Sequence, residues 1–275
     1  LVSACSAPDI EQAPVLTNVM VFEGARVLVG DGGVIENATF IVDADRLVAV
    51  GPGDSVEVPA GAERVDLTGR TVMPAIIDTH VHLRETRDEL VEDLQRKAYY
   101  GVGVVLSLGR GSSDMAFQVR DEVLPNAARY RTVGRGITRP EPGRTDIPYW
   151  ISTQAEARTA VQELAAQNVD MVKIWVDDRG GRDEKLTPDL YRPIIEEAHA
   201  RGLQVIAHVF YLEDARELVE AGVDGFAHLV RDAEMDDALV AAIVERDVFV
   251  MPNLGISERG RHAAPPAWLD DPLLL

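Results

Sequence analysis

The sequence has one cysteine, no long apolar run and a large deficit of positive charge. Because Cys5 stands alone, no disulfide can form within the chain, and no apolar stretch reaches the length of a transmembrane helix. Lysine and arginine number 27 against 46 acidic residues, and the net charge of −19 argues against binding to nucleic acids or anionic membranes. The 275 residues, 46% of them hydrophobic, are enough for one large α/β domain with a small companion.

Residues 1–14 have no pattern that would pack on a core. The residues around Cys5 are typical of the end of a bacterial lipoprotein signal, in which small residues precede an acylated cysteine, and a flexible tether would follow. A disordered tail with a chance cysteine is the alternative. Because the first residue is leucine rather than methionine, we expect a natural start further upstream, and the signal predicts a periplasmic, lipid-anchored protein of the bacterial cell envelope.

Residues 15–72 carry short β-strand patterns separated by turn residues. They predict a small all-β module that is too small to be stable alone and is completed by other parts of the protein. The predicted strands are 18–22, 25–29, 38–42 and 46–50.

From residue 73 onward, strand and helix patterns alternate, which predicts parallel βαβ units. An eight-stranded (β/α)8 barrel is the natural closure, with the eighth strand missing and the chain truncated at both ends; a doubly wound open sheet is the competing architecture. The predicted strands are 72–80, 102–108, 130–138, 170–176, 203–209, 223–229 and 248–254. The predicted helices are 86–100, 113–128, 153–167, 188–201, 212–221 and 233–246.

Side chains that can bind metals recur at the carboxyl ends of these strands, where barrel active sites lie. One residue separates His80 from His82, so in a strand both side chains point to the same face of the sheet. The alternative is an ordinary pair of surface or core histidines. His208 and His228 end the fifth and sixth strands, whereas His199 and His262 lack such a placement and are interpreted as surface residues.

Lys173 interrupts an apolar strand, where a charged ammonium is costly. A buried lysine is readily deprotonated, and its neutral amine can add carbon dioxide to form a carbamate that bridges two metals. The alternative is an ion pair with Asp177 or Asp178.

This ordered set resembles the amidohydrolase superfamily, in particular its imidazolonepropionase-like and Xaa-Pro dipeptidase-like branch, from about residue 17 to 255. The resemblance implies a metallo-barrel flanked by a β-sandwich, of which 15–72 would be the first part and 73–275 an incomplete barrel. It implies a binuclear metal site, with zinc as the first candidate, bound by His80, His82, a carbamylated Lys173, His208 and His228. Lys173, His208 and His228 would be catalytic.

Two departures from the family pattern stand out. Pro74 is followed by Ala75 where the family usually has glycine, and the eighth-strand aspartate that binds a metal and transfers a proton is absent from the sequence. We therefore expect this stretch alone to be catalytically impaired.

The resemblance implies that a metal-activated hydroxide cleaves a non-aromatic C–N bond, an amide, in a small peptide such as a dipeptide or in a cyclic amide. A deaminase, a lactonase and a non-catalytic scaffold are the alternatives, and homo-oligomerisation is left open. Loop residues could contact the substrate, the arginines by pairing with a carboxylate, or be ordinary solvated or packed side chains. These candidates are Arg110, Arg139, Arg144 and Tyr211.

Overall fold

The computed structural model describes residues 19–111, 113–143 and 147–253, and the chain divides into two compact units between Ala75 and Ile76. Within these ranges no helix is long and apolar enough to cross a membrane. Cys5, Arg144 and His262 lie outside the described residues. The lipid anchor, the cell-envelope location and the role of Arg144 therefore stay predictions.

The described part of the first unit is a single five-stranded sheet without helices. Its strands are β1 (Val19–Leu28), β2 (Val34–Asp43), β3 (Arg46–Pro52), β4 (Glu63–Asp66) and β5 (Thr71–Val72). They follow the order β3-β2-β1-β4, and β5 also pairs with β1. β2 and β3 are antiparallel to their neighbours, whereas β4 and β5 run parallel to β1. A second sheet that would complete a sandwich stays a prediction.

β1 joins two strands that the sequence patterns predict separately. The chain passes through Gly24 at a φ of +82°, where the register with β2 shifts, and continues as one strand. A Cβ at Gly24 would lie 2.6 Å from Thr68 Oγ1. Glycine is therefore required both for its backbone conformation and for the close approach of the neighbouring chain.

The second unit alternates strands and helices, as predicted. Its strands are β6 (Ile76–Val81), β7 (Val102–Ser107), β8 (Arg129–Thr132), β9 (Ile137–Thr138), β10 (Tyr149–Trp150), β11 (Val172–Val176), β12 (Val205–Val209), β13 (Gly225–Phe226) and β14 (Phe249–Val250). Its helices are α1 (Arg87–Tyr99), α2 (Asp114–Asp121), α3 (Gln154–Ala166), α4 (Pro188–His199), α5 (Leu212–Ala221) and α6 (Asp237–Glu245). α4 begins with Pro188 at its first turn, as the sequence predicts.

All strand pairs of the second unit are parallel, which confirms the α/β class. One sheet has the order β6-β7-β8 and the other β10-β9-β11-β12-β13-β14. The predicted strand 130–138 is divided into β8 and β9, because the chain turns at Gly134 with a φ of +64°. At this point a backbone hydrogen bond connects the two sheets: the Asp170 amide, just before β11, donates to the Thr132 carbonyl at the end of β8 at 3.2 Å. Between the described strands no ladder joins β14 to β6, so a closed barrel is not shown.

Side-chain alternation separates the two faces of these strands. Val172, Ile174 and Val176 of β11 point to the outer core beneath the helices, together with the matching residues of β12. The opposite face supplies an inner apolar cluster drawn from strands of both sheets: Leu106, Leu108, Val133, Ile206 and Ala227. Lys173 and His208 alternate with the outer-core residues and therefore belong to the inner face.

Candidate metal centre

Four histidines meet at the carboxyl ends of the strands, as the sequence predicts. His80 lies in β6 and His82 directly follows it, with ring centroids 5.1 Å apart. The ring of His228 lies 4.8 Å from that of His80 and 4.6 Å from that of His208. Residues up to 148 positions apart in the sequence are thus gathered by the parallel arrangement of the strands.

Lys173 lies one layer below the histidines. It is opposite Ile206 in the register of β11 and β12, whereas His208 is opposite Trp175. Its side chain is fully buried, and its Nζ has no hydrogen-bond partner. Burial holds the pKa of the Lys173 amine well below its usual value, which favours the neutral form of the amine. The alternative of an ion pair with Asp177 or Asp178 is therefore wrong in this structure.

Trp175 shares the inner face with Lys173 and packs against Gly109 and Gly136, whose backbones are joined by a 3.1 Å hydrogen bond. A Cβ at Gly109 would lie 2.4 Å from the Trp175 ring, and one at Gly136 only 2.0 Å from it. Both positions therefore require glycine. The Lys173 amine is 5.8 Å from the centre of the indole ring, which forms part of its apolar surroundings.

Asp177 fixes the orientation of the His208 ring. Its carboxylate lies 2.9 Å from His208 Nε2, and both side chains are buried. A protonated Nε2 that donates to Asp177 leaves Nδ1 as the free ring nitrogen, which is the arrangement that carboxylates impose on metal-binding histidines. Sequence reasoning considered Asp177 only as a partner of Lys173 and missed this role.

A buried ion-pair network stabilises Asp177 as a carboxylate. The Arg179 amide donates to Asp177 at 2.8 Å, and the Arg179 guanidinium pairs with both Asp177 and Glu141. Burial alone would raise the pKa of Asp177, but the hydrogen bonds from His208 and Arg179 hold it well below its usual range. Asp177 is therefore charged at neutral pH.

The imidazoles of the cluster are neutral. Burial lowers the pKa of His208 to about 4, that of His80 to about 3 and that of His228 to about 2. Mutual repulsion between protonated imidazoles of the cluster acts in the same direction for His80 and His228. Because only a neutral imidazole can bind a metal, these pKa values favour metal binding at neutral pH.

Asn253 joins the cluster from the end of β14 and was not predicted. Its Nδ2 lies 2.8 Å from His80 Nδ1 and 3.3 Å from His228 Nδ1. It also donates to the carbonyl of Ala227 at 3.2 Å. The only signal in the sequence is a polar residue at the end of an apolar strand pattern. The amide thus links the histidine of β6 to the one that follows β13.

The predicted substrate residues are differently placed. Partial desolvation, and then the charge of Arg110, lower the pKa of His82, so Arg110 lies within electrostatic range of the cluster even though both side chains are largely exposed. Arg139 donates to the Ile151 carbonyl and pairs with Glu184, so its guanidinium is already occupied by contacts within the protein. Arg110 therefore remains a candidate for substrate contact, and Arg139 is a weaker one.

Tyr211 and His199 have structural partners. The Tyr211 hydroxyl donates to Asp178 at 2.6 Å, and this hydrogen bond raises the pKa of the phenol to about 12. His199, which is exposed, pairs with Asp224 at 2.9 Å and takes no part in the cluster. The interpretation of His199 as a surface residue is therefore confirmed.

The donor set fits a metal centre in which Lys173 would be the bridging ligand. Among the described residues, no three histidine, cysteine, aspartate or glutamate side chains form a complete metal-binding group. The histidines supply neutral nitrogen ligands, and the unpartnered amine of Lys173 would supply the missing anionic oxygens once it is carbamylated.

Sequence and structure comparisons show which known proteins this chain resembles. The imidazolonepropionase of Streptomyces griseus is 28% identical over 210 residues, which cover 69% of this chain and 50% of that protein. A solved structure of a Bifidobacterium longum protein, named a candidate prolidase, is 28% identical with a TM-score of 0.68, covering 84% of this chain and 58% of the other. These similarities support assignment of the chain to the amidohydrolase superfamily. No protein-family model matches it.

A third relative extends the range of chemistry in the superfamily. This relative is the 5-methylthioadenosine/S-adenosylhomocysteine deaminase of Symbiobacterium thermophilum. It is 43% identical over 89 residues, which cover 29% of this chain and 20% of that protein. Some curated relatives match most of this chain, and the chain spans about half of their length. Superfamily members generally use divalent metal ions.

Proposed function

We propose that this amidohydrolase is a metal-dependent hydrolase that cleaves the amide C–N bond of a small peptide or a cyclic amide. The observation that carries the proposal is the buried, unpartnered amine of Lys173 beneath four neutral histidines. An orphaned polar group in a core costs about 1–3 kcal/mol, so its retention calls for a function. Bridging two metals as a carbamate supplies one.

The proposed metal ligands are grouped by the strands that carry them. His80 and His82 of the first strand would hold one ion, His208 and His228 the other, and the Lys173 carbamate would bridge them. Zinc suits this set of nitrogen and carboxylate-like ligands. When bound, the ions would supply a hydroxide nucleophile at neutral pH and polarise the scissile carbonyl.

The protein's own residues prepare this chemistry. Asp177 holds the His208 ring and selects its tautomer, and Arg179 keeps Asp177 charged. Asn253 restrains the rings of His80 and His228. The proton-transferring aspartate that the resemblance places on an eighth strand is assigned to no described residue. The candidate group for that step is therefore left open.

The barrel architecture is part of the same proposal. The inner cluster of Leu106, Ile206 and Ala227 brings together side chains of both sheets, as a curved sheet would. An eighth strand would join β14 to β6 and close the barrel. A sandwich that flanks it would contain the first unit's sheet.

A deaminase is the second candidate. The 43% identity with the Symbiobacterium thermophilum deaminase over 89 residues favours it, and both reactions replace a C–N bond by attack of an activated water. The geometry of the cluster does not separate these reactions, but their products do.

The test combines metal analysis with substrate profiling. We expect about two zinc or related ions per chain, hydrolysis of members of a panel of dipeptides, N-acyl amino acids and cyclic amides, and loss of turnover after chelation. Ammonia release from aminopurine nucleosides without amide hydrolysis would favour the deaminase. A protein that binds no metal under any loading condition would instead be a scaffold.

A further inference from the structure

Trp175 occupies the side of the inner face on which the strands carry no histidine. It lies opposite His208 in the register of β11 and β12, so both side chains start from the same level of their strands. The indole extends from β11 toward the ends of β7 and β9, because added Cβ atoms at Gly109 and Gly136 would lie 2.4 and 2.0 Å from the ring. The ring therefore fills the space between these three strands.

The backbone against which the indole packs is held in place. The Gly136 amide donates to the Gly109 carbonyl at 3.1 Å, and the Tyr149 amide donates to the Gly136 carbonyl at 2.8 Å. Arg110 also forms an isolated β-bridge with Arg135, next to the same two glycines. A backbone that is fixed by several hydrogen bonds does not easily retreat from its neighbour, so the position of the ring is well defined.

Part of the indole remains accessible at the end of the strands where the histidines meet. Lys173 and Ile206, one layer below, are fully buried, whereas Trp175 is partly exposed. The Lys173 amine lies 5.8 Å from the centre of the indole ring. This separation is shorter than two van der Waals contacts of about 3.5–4.0 Å each, so no further atom fits between the two groups. A molecule bound by the histidine cluster would therefore lie above the amine and meet the indole.

We propose that Trp175 determines specificity by forming the wall of the substrate space on the side of β7 and β9, where it limits the size of the acyl group that can bind. The inference rests on the proposed function and sharpens it, because such a hydrolase would prefer amides with a short acyl portion over bulky ones such as benzoyl amides. Tryptophan suits this role because its ring is large and rigid.

Hydroxamic acids test the inference without turnover, because their oxygens bind zinc while the acyl group can be varied. The probes are aceto-, propiono-, butyro- and benzohydroxamic acid, titrated by calorimetry into the zinc-loaded protein. We expect Trp175→Val to bind benzohydroxamic acid about 10- to 100-fold more tightly than the wild type, since a phenyl ring can enter the space that the indole leaves. The affinity for acetohydroxamic acid should stay within about threefold of the wild type. Trp175→Phe should give a smaller change in the same direction.

Gly136→Ala tests the wall from the opposite side. Gly136 does not have a positive φ, so alanine is compatible with its backbone, and the three atoms nearest to the added Cβ all belong to Trp175. The displaced ring should narrow the site and weaken the binding of acetohydroxamic acid about 10-fold or more. Combining Gly136→Ala with Trp175→Val removes the clash and should restore this affinity. The double variant also keeps the test open where the single variant does not fold.

Trp150→Phe is the matched control, because this indole is 39% exposed and lies in a surface groove with Ala155 and Thr159 of α3. It should keep the acyl preference of the wild type. An unchanged preference in both Trp175 variants would overturn the inference, as would loss of zinc from both, because Trp175 would then be structural. Failure of every hydroxamic acid to bind the zinc-loaded wild type would also overturn it. A changed preference without hydrolysis of any amide would count against the proposed function only.

Discussion

The two halves of the histidine cluster differ in how the protein supports them. Lys173, His208 and His228 are buried on central strands, and His208 is held by Asp177. His80 and His82 lie at the end of β6, an edge strand within the described ladders, and the His82 side chain is exposed. His80 and His82 form the motif that is easiest to recognise in the sequence, but the surrounding protein holds them less firmly than it holds the other ligands.

The difference has a packing origin. β11 and β12 contribute fully buried side chains such as Val172, Ile174 and Val205, whereas Ile76 and Ile77 of β6 are 50% and 57% exposed. Side chains in a dense core are held in single rotamers, and a lysine enclosed there is kept neutral. We therefore expect the buried half to be preorganised, and the β6 half to be fixed by bound metal and by the proposed eighth strand where that strand pairs with β6.

The largest expected effect comes from Lys173→Met, which replaces the amine by an apolar side chain of similar length. We expect loss of the bridged metals and at least a 100-fold fall in hydrolysis, because no bridging ligand remains. The metal-free variant should be as stable as the metal-free wild type or more stable by about 1–3 kcal/mol, since an unpartnered buried amine is removed. Metal analysis and urea unfolding measure both. Unchanged metal content would contradict the bridging role.

Comparing His208→Ala with His82→Ala tests the asymmetry directly. His208→Ala leaves a cavity and deprives Asp177 of its buried partner, so we expect the metal-free protein to lose about 2–4 kcal/mol of unfolding free energy. His82→Ala removes an exposed ring and should cost about 0.5 kcal/mol or less. Equal losses in urea unfolding would show that the two halves are supported alike.

Asp177→Asn keeps the shape of the side chain but removes the charge that orients His208. We expect metal affinity to fall about 10- to 100-fold, as with other carboxylates that orient metal-binding histidines. Competition with a chelator of known affinity gives this value. Asp121→Asn, in which an exposed carboxylate of α2 is changed, should leave the metal affinity at the wild-type level. Similar effects of both changes would exclude an orienting role for Asp177.

The most gradual effect is a pH dependence of stability. The pKa of His208 is about 4 in the folded protein and about 6.5 when unfolded, so the unfolded chain takes up protons first as the pH falls. The metal-free protein should therefore lose stability from about pH 6.5 down to pH 4, by at most about 1.4 kcal/mol per pH unit for this ring. His208→Gln should show a shallower slope in thermal unfolding. Identical slopes would contradict the burial-induced shift.

Periodicity and turn residues were sufficient to predict the alternating strands and helices of the second unit and the strand ends that carry histidines. They were not sufficient for β4 and β5, which are short, lack a clear alternation and pair with β1 from a distance in the sequence. The division of strand 130–138 was also missed, because a single positive φ at Gly134 decides it.

The polar residues that surround the histidines were the least predictable part. Asn253 meets His80 from 173 positions away, and Arg231 reaches His208 from the next strand's loop. Such contacts depend on the tertiary arrangement of strand ends and not on any local pattern. Lys173 was predictable because burying a charged side chain in an apolar strand is costly unless the group is paired or chemically altered.

The state of the Lys173 amine is the central claim, and carbon-13 NMR of the purified protein tests it most directly. The protein is loaded with zinc in the presence of carbon-13-labelled bicarbonate, with Lys173→Met as the matched control. We predict one carbamate signal in the wild type that requires both metal and bicarbonate and is absent from the variant. Two bound metals without a carbamate signal, or a signal that persists in Lys173→Met, would contradict the account.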